Sequence, residues 1–559
     1  MRKIFIVSLL LCFTKSVSAE ILPVVASHSM VVTEQHLASQ VGADILSAGG
    51  NAVDAAVAVG YALAVVNPCC GNIGGGGFMT LHLTGDRNVF INFRERAPLA
   101  AKTDMYLDKN RDVIPGKSTF GYLAVATPGT VMGLDTALAK YGTMTRQQVL
   151  APAIKLAQEG YILTPGDVKL LDEHAQDFKR NANVAKIFLN KGKPYQVGDK
   201  LIQKDLAKTL KLISDQGTKA FYTGDIAKQI VAASQQNGGI LSMQDFANYY
   251  VEIMTPLRCT YQGYTVFSAP PPSSGGVALC EMLNIIDNYP LKQQPYHSVE
   301  SVRYIIEAMR NAFADRNNQL GDPDFVSNPI DTLISKSYAE KISVKIKALH
   351  GAEVVPPAAT IPKEGVNTTH YSVVDKFGNA VSVTYTLNSF FGAEVIAGST
   401  GFLLNDEMDD FSAKPGVPNQ FGLVEGDKNK IEPGKRPLSS MTPTILTQGV
   451  QTVMVVGAPG GPKIITETLL TILNVLDHRM NIQEAVDAPR YHQQWLPIPV
   501  DMEPNAFNDD TLKQLRLLGY TFTERKPWGA VEAIYIDPLT KKLYGANDHR
   551  RPAGLAVGN

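Results

Sequence analysis

Residues 367 to 388, NTTHYSVVDKFGNAVSVTYTLN, constrain the fold more tightly than any other stretch of this chain. Two runs rich in β-branched and aromatic residues flank Lys376-Phe377-Gly378, which suits a three-residue hairpin loop with glycine at the left-handed position. That turn sets the register: Asp375 faces Asn379, paired residue numbers sum to 754, and Thr368 falls opposite Thr386. Directly opposed side chains share a face of the sheet and lie within hydrogen-bonding reach. A one-residue slip would carry every side chain to the opposite face, so the pairing is a sharp expectation.

The first strand reads as buried, yet it opens on Asn367, Thr368, Thr369 and His370. A threonine hydroxyl is almost never ionised near neutral pH and needs a base to act as a nucleophile. One such base is the threonine's own α-amine, whose ordinary pKa is about 7.7–8.0. That role requires Thr368 to be a chain N-terminus, hence a cut between Asn367 and Thr368. Just upstream, residues 351–366 (GAEVVPPAATIPKEGV) lack periodicity and read as a mobile surface segment that could accommodate the cut. Plainer readings exist. Asn367-Thr368-Thr369 is also an N-x-T glycosylation sequon, and threonine is common at strand starts.

Of the 559 residues, 45% are hydrophobic and 19% charged, with a formal net charge of -1, an ordinary globular composition. Without a Lys/Arg-rich run there is no electrostatic footprint for nucleic acid, and a small-molecule or peptide-like partner fits better. Arg2 and Lys3, the apolar run Ile4 to Phe13 and Val17-Ser18-Ala19 form a secretory signal, residues 1–19, cut after Ala19. Leu11 before Cys12 argues against a lipid anchor. The run Ala55 to Val66 is too short to span a bilayer and reads as a buried core helix, so no stable membrane span is expected. Export permits disulfides among Cys69, Cys70, Cys259 and Cys280, whose pairing the spacing leaves open. The scattered histidines and absent HExxH or paired CxxC spacings point to no metal and no cofactor.

Along the chain, residues 36–66 read as two helices broken at Gly49-Gly50-Asn51, with Asn51 able to cap the second. NIGGGGFM (72–79) offers glycines for positive φ and close backbone approach. Strands follow at about 79–84 and 89–94. From about 130 to 316 the pattern is mostly helical, with loops at Pro165-Gly166 and at 268–276 and an amphipathic helix over 298–316. Residues 414–437, dense in proline, glycine and charge, suit a lid over a site. A strand at 452–457 then turns through Ala458-Pro459-Gly460-Gly461 into a helix from about 464 to 477. Strands with helices before and after suggest sheets layered between helices.

The motifs NTTHYSVVD, TYTLN, NDEMDDF, KRPLSSMTPT, GAPGG, FRERAP and NIGGGGFM closely resemble the γ-glutamyltranspeptidases, in the same order from about Glu20 to the C-terminus. The 414–437 segment and YGANDHR (544–550) look like bacterial members. The resemblance implies an α+β fold of the N-terminal nucleophile hydrolase type, a four-layer αββα sandwich. It also implies a proenzyme cut at Asn367–Thr368 into a large subunit, 20–367, and a small subunit, 368–559, that remain a heterodimer. Thr368 would be the nucleophile, acting on glutathione and other γ-glutamyl compounds, with water or amino acid and peptide amines as acceptors.

Residue by residue, Thr386 matches the threonine that holds the nucleophile's hydroxyl. Gly460 and Gly461 match the oxyanion-hole glycines. Arg94 matches the arginine for the substrate α-carboxylate, helped by Ser439 and Ser440. Asn388, Glu407 and Asp410 match the groups receiving the α-ammonium. One end of the site thus reads carboxylate and the other ammonium. Bacterial relatives often carry glutamine at Glu407 and tyrosine at Phe421, so a carboxylate should strengthen ammonium binding while a lid without the hydroxyl closes more loosely. The rivals are a glutaryl or cephalosporin acylase on the same scaffold, a capsule poly-γ-glutamate transferase, and a silent γ-glutamyl-peptide binding protein. Export combined with the bacterial resemblance makes the periplasm the expected location.

Overall fold

The computed structural model describes residues 22–349, 351–352 and 368–559. The expected signal peptide, Asn367 and most of the 351–366 segment lie outside the described residues.

The hairpin forms as its turn dictates. Thr369–Val374 pairs antiparallel with Ala380–Thr386 in the expected register, Thr369 opposite Tyr385 and Val374 opposite Ala380, and Gly378 takes a φ of 86°. Every residue of both strands is buried, because both faces of the hairpin are covered. On one face Tyr371, Val373, Val381, Val383 and Tyr385 join the apolar core that includes the helix Ala52–Val66. On the other, His370, Ser372, Ser382 and Thr384 face a second sheet, where Ser372 and Ser382 donate to the backbone carbonyls of Glu532 and Val456.

The hairpin is the middle of a seven-stranded antiparallel sheet. Its spatial order is Leu555–Gly558, Met30–Thr33, Thr369–Val374, Ala380–Thr386, Gly76–Leu83, Arg87–Phe93 and Glu252–Met254. Facing it is a second seven-stranded sheet, ordered Val24–Ala26, Leu543–Asn547, Glu532–Ile536, Gln451–Val456, Thr444–Gln448, Tyr264–Ser268 and Leu257–Tyr261. His36–Ser47 and Ala52–Val66 belong to the helical layer outside the first sheet; Gly275–Ile286, Val299–Gln319 and Lys463–Leu476 belong to the layer outside the second. This is the expected four-layer αββα sandwich.

Asn51 caps the fully buried helix Ala52–Val66 through a capping box with Asp54. Among the described residues no helix is long and apolar enough to cross a membrane. Three readings need correction. Within the stretch expected to be mostly helical lie five strands: the two-residue Tyr161–Ile162 and Lys200–Leu201, and the longer Glu252–Met254, Leu257–Tyr261 and Tyr264–Ser268, of which Leu257–Tyr261 alternates buried and exposed. Pro165-Gly166 is not a loop but opens the helix Pro165–Glu173, because Thr164 caps it with Asp167 and proline suits a first helical position. Gly74 to Gly77 take no positive φ; their use is close approach alone. A Cβ on Gly75 would sit 1.8 Å from the Thr386 carbonyl oxygen, and one on Gly74 2.0 Å from that of Leu403. The cysteines pair as Cys69–Cys70 and Cys259–Cys280.

Candidate active site

Thr368 and Thr386 meet as the register requires, their Oγ1 atoms 3.0 Å apart. Thr386 Oγ1 also accepts the backbone N–H of Asn388 at 2.8 Å. With that lone pair engaged, its own proton is placed to reach Thr368. Thr368 holds a φ of 103°, a region that costs a β-branched residue about 1–3 kcal/mol. The segment after Thr386 is anchored by Cys70 and Cys69, whose carbonyls accept the N–H groups of Leu387 at 2.8 Å and Phe391 at 2.7 Å. His370 does not serve the threonine pair. Its Nδ1 lies 2.8 Å from Thr384 Oγ1 and its Nε2 3.2 Å from Ser372 Oγ. Burial pushes its pKa down to about 3, so the imidazole is neutral.

The two threonines line a small cavity together with Arg94, Asn388, Glu407, Asp410, Phe421, Ser439, Ser440 and Gly461. Ten of the twelve residues singled out from sequence therefore converge on one place. Asn367 is outside the described residues, and Gly460 stands one residue back, where a Cβ would lie 2.9 Å from Glu467. The free volume is only about 20 Å³, room for a water molecule. Phe421 packs into the cavity wall: it is 4% exposed, and a Cβ on Gly461 would come within 2.9 Å of its ring. Gln494 Nε2 holds the Phe421 carbonyl at 3.1 Å. Gly460 and Gly461, at φ 133° and 57°, lead directly into the helix Lys463–Leu476, whose N-terminal end adds partial positive charge.

Arg94 is fully buried between two carboxylates, with Nη1 donating to Glu407 Oε1 and Nη2 to Asp410 Oδ2, while Nε donates to the Pro437 carbonyl at 3.1 Å. Burial works against its charge, but Glu407, Asp410 and Glu95 outweigh this and hold its pKa above the ordinary value. Burial pushes the Glu407 carboxyl well above the usual carboxylate range, opposed by Arg94, and Glu407 Oε2 accepts no hydrogen bond among the described residues. The expected separation into a carboxylate end and an ammonium end is thus corrected. Glu407 and Asp410 sit on the arginine itself.

Sequence reasoning missed Arg316, Leu423, Met441, Pro462 and Ile464, which also line the cavity. Arg316 left one trace: it continues the apolar face of Val299–Gln319 set by Val302, Ile306, Met309 and Phe313, a charge where periodicity calls for a hydrophobe.

Residues 38–558 match the family model described as gamma-glutamyltranspeptidase. The chain is 56% identical over 548 residues to the glutathione hydrolase proenzyme of Pseudomonas sp. (strain A14), which covers 96% of this chain and 95% of that one. It is 46% identical over 540 residues to the glutathione hydrolase proenzyme of Escherichia coli (strain K12), covering 96% and 93%. Its fold matches the crystal structure of cephalosporin acylase from Bacillus halodurans at a TM-score of 0.84 and 28% identity, over 99% of each chain. A match that runs nearly end to end, on a sandwich whose cavity gathers the same motifs, decides the matter: the chain belongs to the γ-glutamyltranspeptidase family.

Proposed function

We propose that this chain is a γ-glutamyltransferase and glutathione hydrolase that matures by cutting itself between Asn367 and Thr368. The observation that carries the reading is the shared cavity: a threonine pair able to form an acyl ester lies beside a buried arginine and carboxylates suited to an amino-acid head group.

In maturation, Thr368 Oγ attacks the Asn367 carbonyl, the C–N bond breaks, and the acyl group passes from nitrogen to oxygen. Water then hydrolyses the ester, giving a carboxylate on Asn367 and a free amine on Thr368. The cut abolishes the torsion φ at Thr368, so the strain held there favours it. The products are residues 20–367 and 368–559, which stay together. In turnover the freed amine takes the Thr368 hydroxyl proton as Oγ attacks the γ-carbonyl of the donor. Thr386 steadies Oγ, and the Gly460-Gly461 turn offers its backbone N–H groups to the developing oxyanion. The amine returns the proton to the departing nitrogen, leaving a γ-glutamyl ester on Thr368. Water completes hydrolysis; an amino acid or peptide amine completes transfer.

Arg94 with Ser439 and Ser440 takes the donor's α-carboxylate. Glu407, Asp410 and Asn388, which line the same cavity, take its α-ammonium. The likeness to the cephalosporin acylase supports a glutaryl acylase as the second reading, but a glutaryl group has no ammonium for the Glu407 and Asp410 carboxylates to receive. The N-terminal signal supports export to the periplasm.

Intact-mass spectrometry of the wild type and of Thr368→Ala tests the proposal. The wild type should give two fragments, the second beginning at Thr368, and the variant one uncut chain. The cut protein should turn over a γ-glutamyl anilide far faster than a glutaryl anilide. A well-folded wild type that stays whole, or a preference for glutaryl, overturns it.

A further inference from the structure

Arg316 is buried to 1% exposure, lines the same cavity as Arg94, and has no part in the reaction as described above. Its guanidinium makes contacts on three sides. Nη2 donates to Ser440 Oγ at 3.2 Å, and Nε donates to Ser274 Oγ at 3.1 Å, a hydroxyl that in turn donates to the Ser439 carbonyl at 2.7 Å. Nη1 donates to Asn317 Oδ1 at 2.9 Å and forms an ion pair with Glu425. Glu425 belongs to the 414–437 segment that carries Phe421. Its other oxygen accepts from Asn429, whose amide also donates to the Asp410 carbonyl at 2.7 Å.

Guanidinium is donor only. A hydroxyl that accepts from it has a lone pair committed, and its own proton must go elsewhere. Among the described residues Ser440 Oγ donates to no protein acceptor, so its proton is available to the cavity it lines. Ser439 is set the same way by a fixed donor, the Met441 N–H, at 3.1 Å. Arg94 Nε holds the same loop from its other end through the Pro437 carbonyl.

We propose that Arg316 is a positioning residue for the donor's head group, orienting the Ser440 hydroxyl toward the α-carboxylate and tying that contact to the 414–437 segment through Glu425. It rests on the γ-glutamyl reading above. Arg316 touches no reacting atom; it fixes which way a hydroxyl points. Lysine, a point charge without a planar fork, cannot hold Ser440, Ser274 and Glu425 together.

The test compares two competitive inhibitors of γ-glutamyl anilide hydrolysis. L-glutamate carries the α-carboxylate; 4-aminobutyrate is the same chain without it. In Arg316→Gln, the inhibition constant for glutamate and the KM of the anilide should rise roughly tenfold or more, the size expected of a lost hydrogen bond to a charged group. The inhibition constant for 4-aminobutyrate should stay within about twofold, and kcat should change far less than KM. Arg316→Lys should fall between wild type and Arg316→Gln, and it serves alone if the glutamine variant does not fold. Ser440→Ala should reproduce the glutamate effect, and adding Arg316→Gln to it should change little. Equal shifts for both inhibitors, or none, overturn the proposal while leaving the γ-glutamyl reading intact. A wild type that does not hydrolyse the anilide overturns both.

Discussion

At the scale of single residues, chemistry depends on which hydroxyl keeps a free proton. Thr386→Val keeps the β-branched shape and removes only the hydroxyl opposite Thr368. We expect kcat to fall about 10²-fold with KM little changed, read by steady-state hydrolysis of a γ-glutamyl anilide; Thr386→Ser should retain most of the rate. An unchanged kcat in Thr386→Val would remove this residue from the reaction. The pair was legible because a hairpin turn fixes register arithmetically, so one glycine in a turn located a contact eight residues away. The role of Arg316 was not, because its place on an apolar helix face marks it as buried but says nothing of its neighbours, Ser440 and Glu425, which arrive from more than a hundred residues further along.

At the scale of elements, the site is held by strands packed so closely that side chains are excluded. The Gly75 backbone lies against the end of the strand Ala380–Thr386. Gly75→Ala must therefore displace Thr386, and we expect a loss of about 3 kcal/mol or more, seen as a lower Tm, together with slowed self-cleavage. The glycine run announced special backbone, but its sequence could not say whether torsion or clearance was needed; only the neighbouring carbonyls decide that. Between the two sheets, His370 is neutral with a pKa of about 3, whereas an unfolded histidine titrates near 6.5. Below about pH 6.5 the unfolded chain binds a proton that the folded chain refuses. The stability from this residue is thus full above that pH and is lost as pH falls toward 3. Replacing it by glutamine should flatten the acid limb of a urea-midpoint profile; an unaltered slope would exclude His370 as its source. The strands Glu252–Met254 to Tyr264–Ser268 escaped sequence reading because they are short and lie among helices, where the longer period dominates any window.

At the scale of the molecule, the layered architecture was legible, since hairpin, glycine-rich turns and flanking helices agree on one arrangement, whereas the interleaving of distant segments was not. The strand Met30–Thr33 lies between Leu555–Gly558 and Thr369–Val374. The proposed cut therefore leaves strands of the two pieces alternating across three seams in the first sheet and two in the second. Residues 20–367 and 368–559 made separately and mixed should fail to form active enzyme, checked by anilide hydrolysis after co-refolding. The uncut Thr368→Ala chain should recover its circular dichroism after dilution from urea, whereas the mature wild type should not. Recovery by the mature protein would show that the two pieces still carry the whole folding code. If it fails to recover, maturation is a point of no return. The working molecule would then owe its shape to an order of events, folding first and severance second, and could be taken apart once but not reassembled.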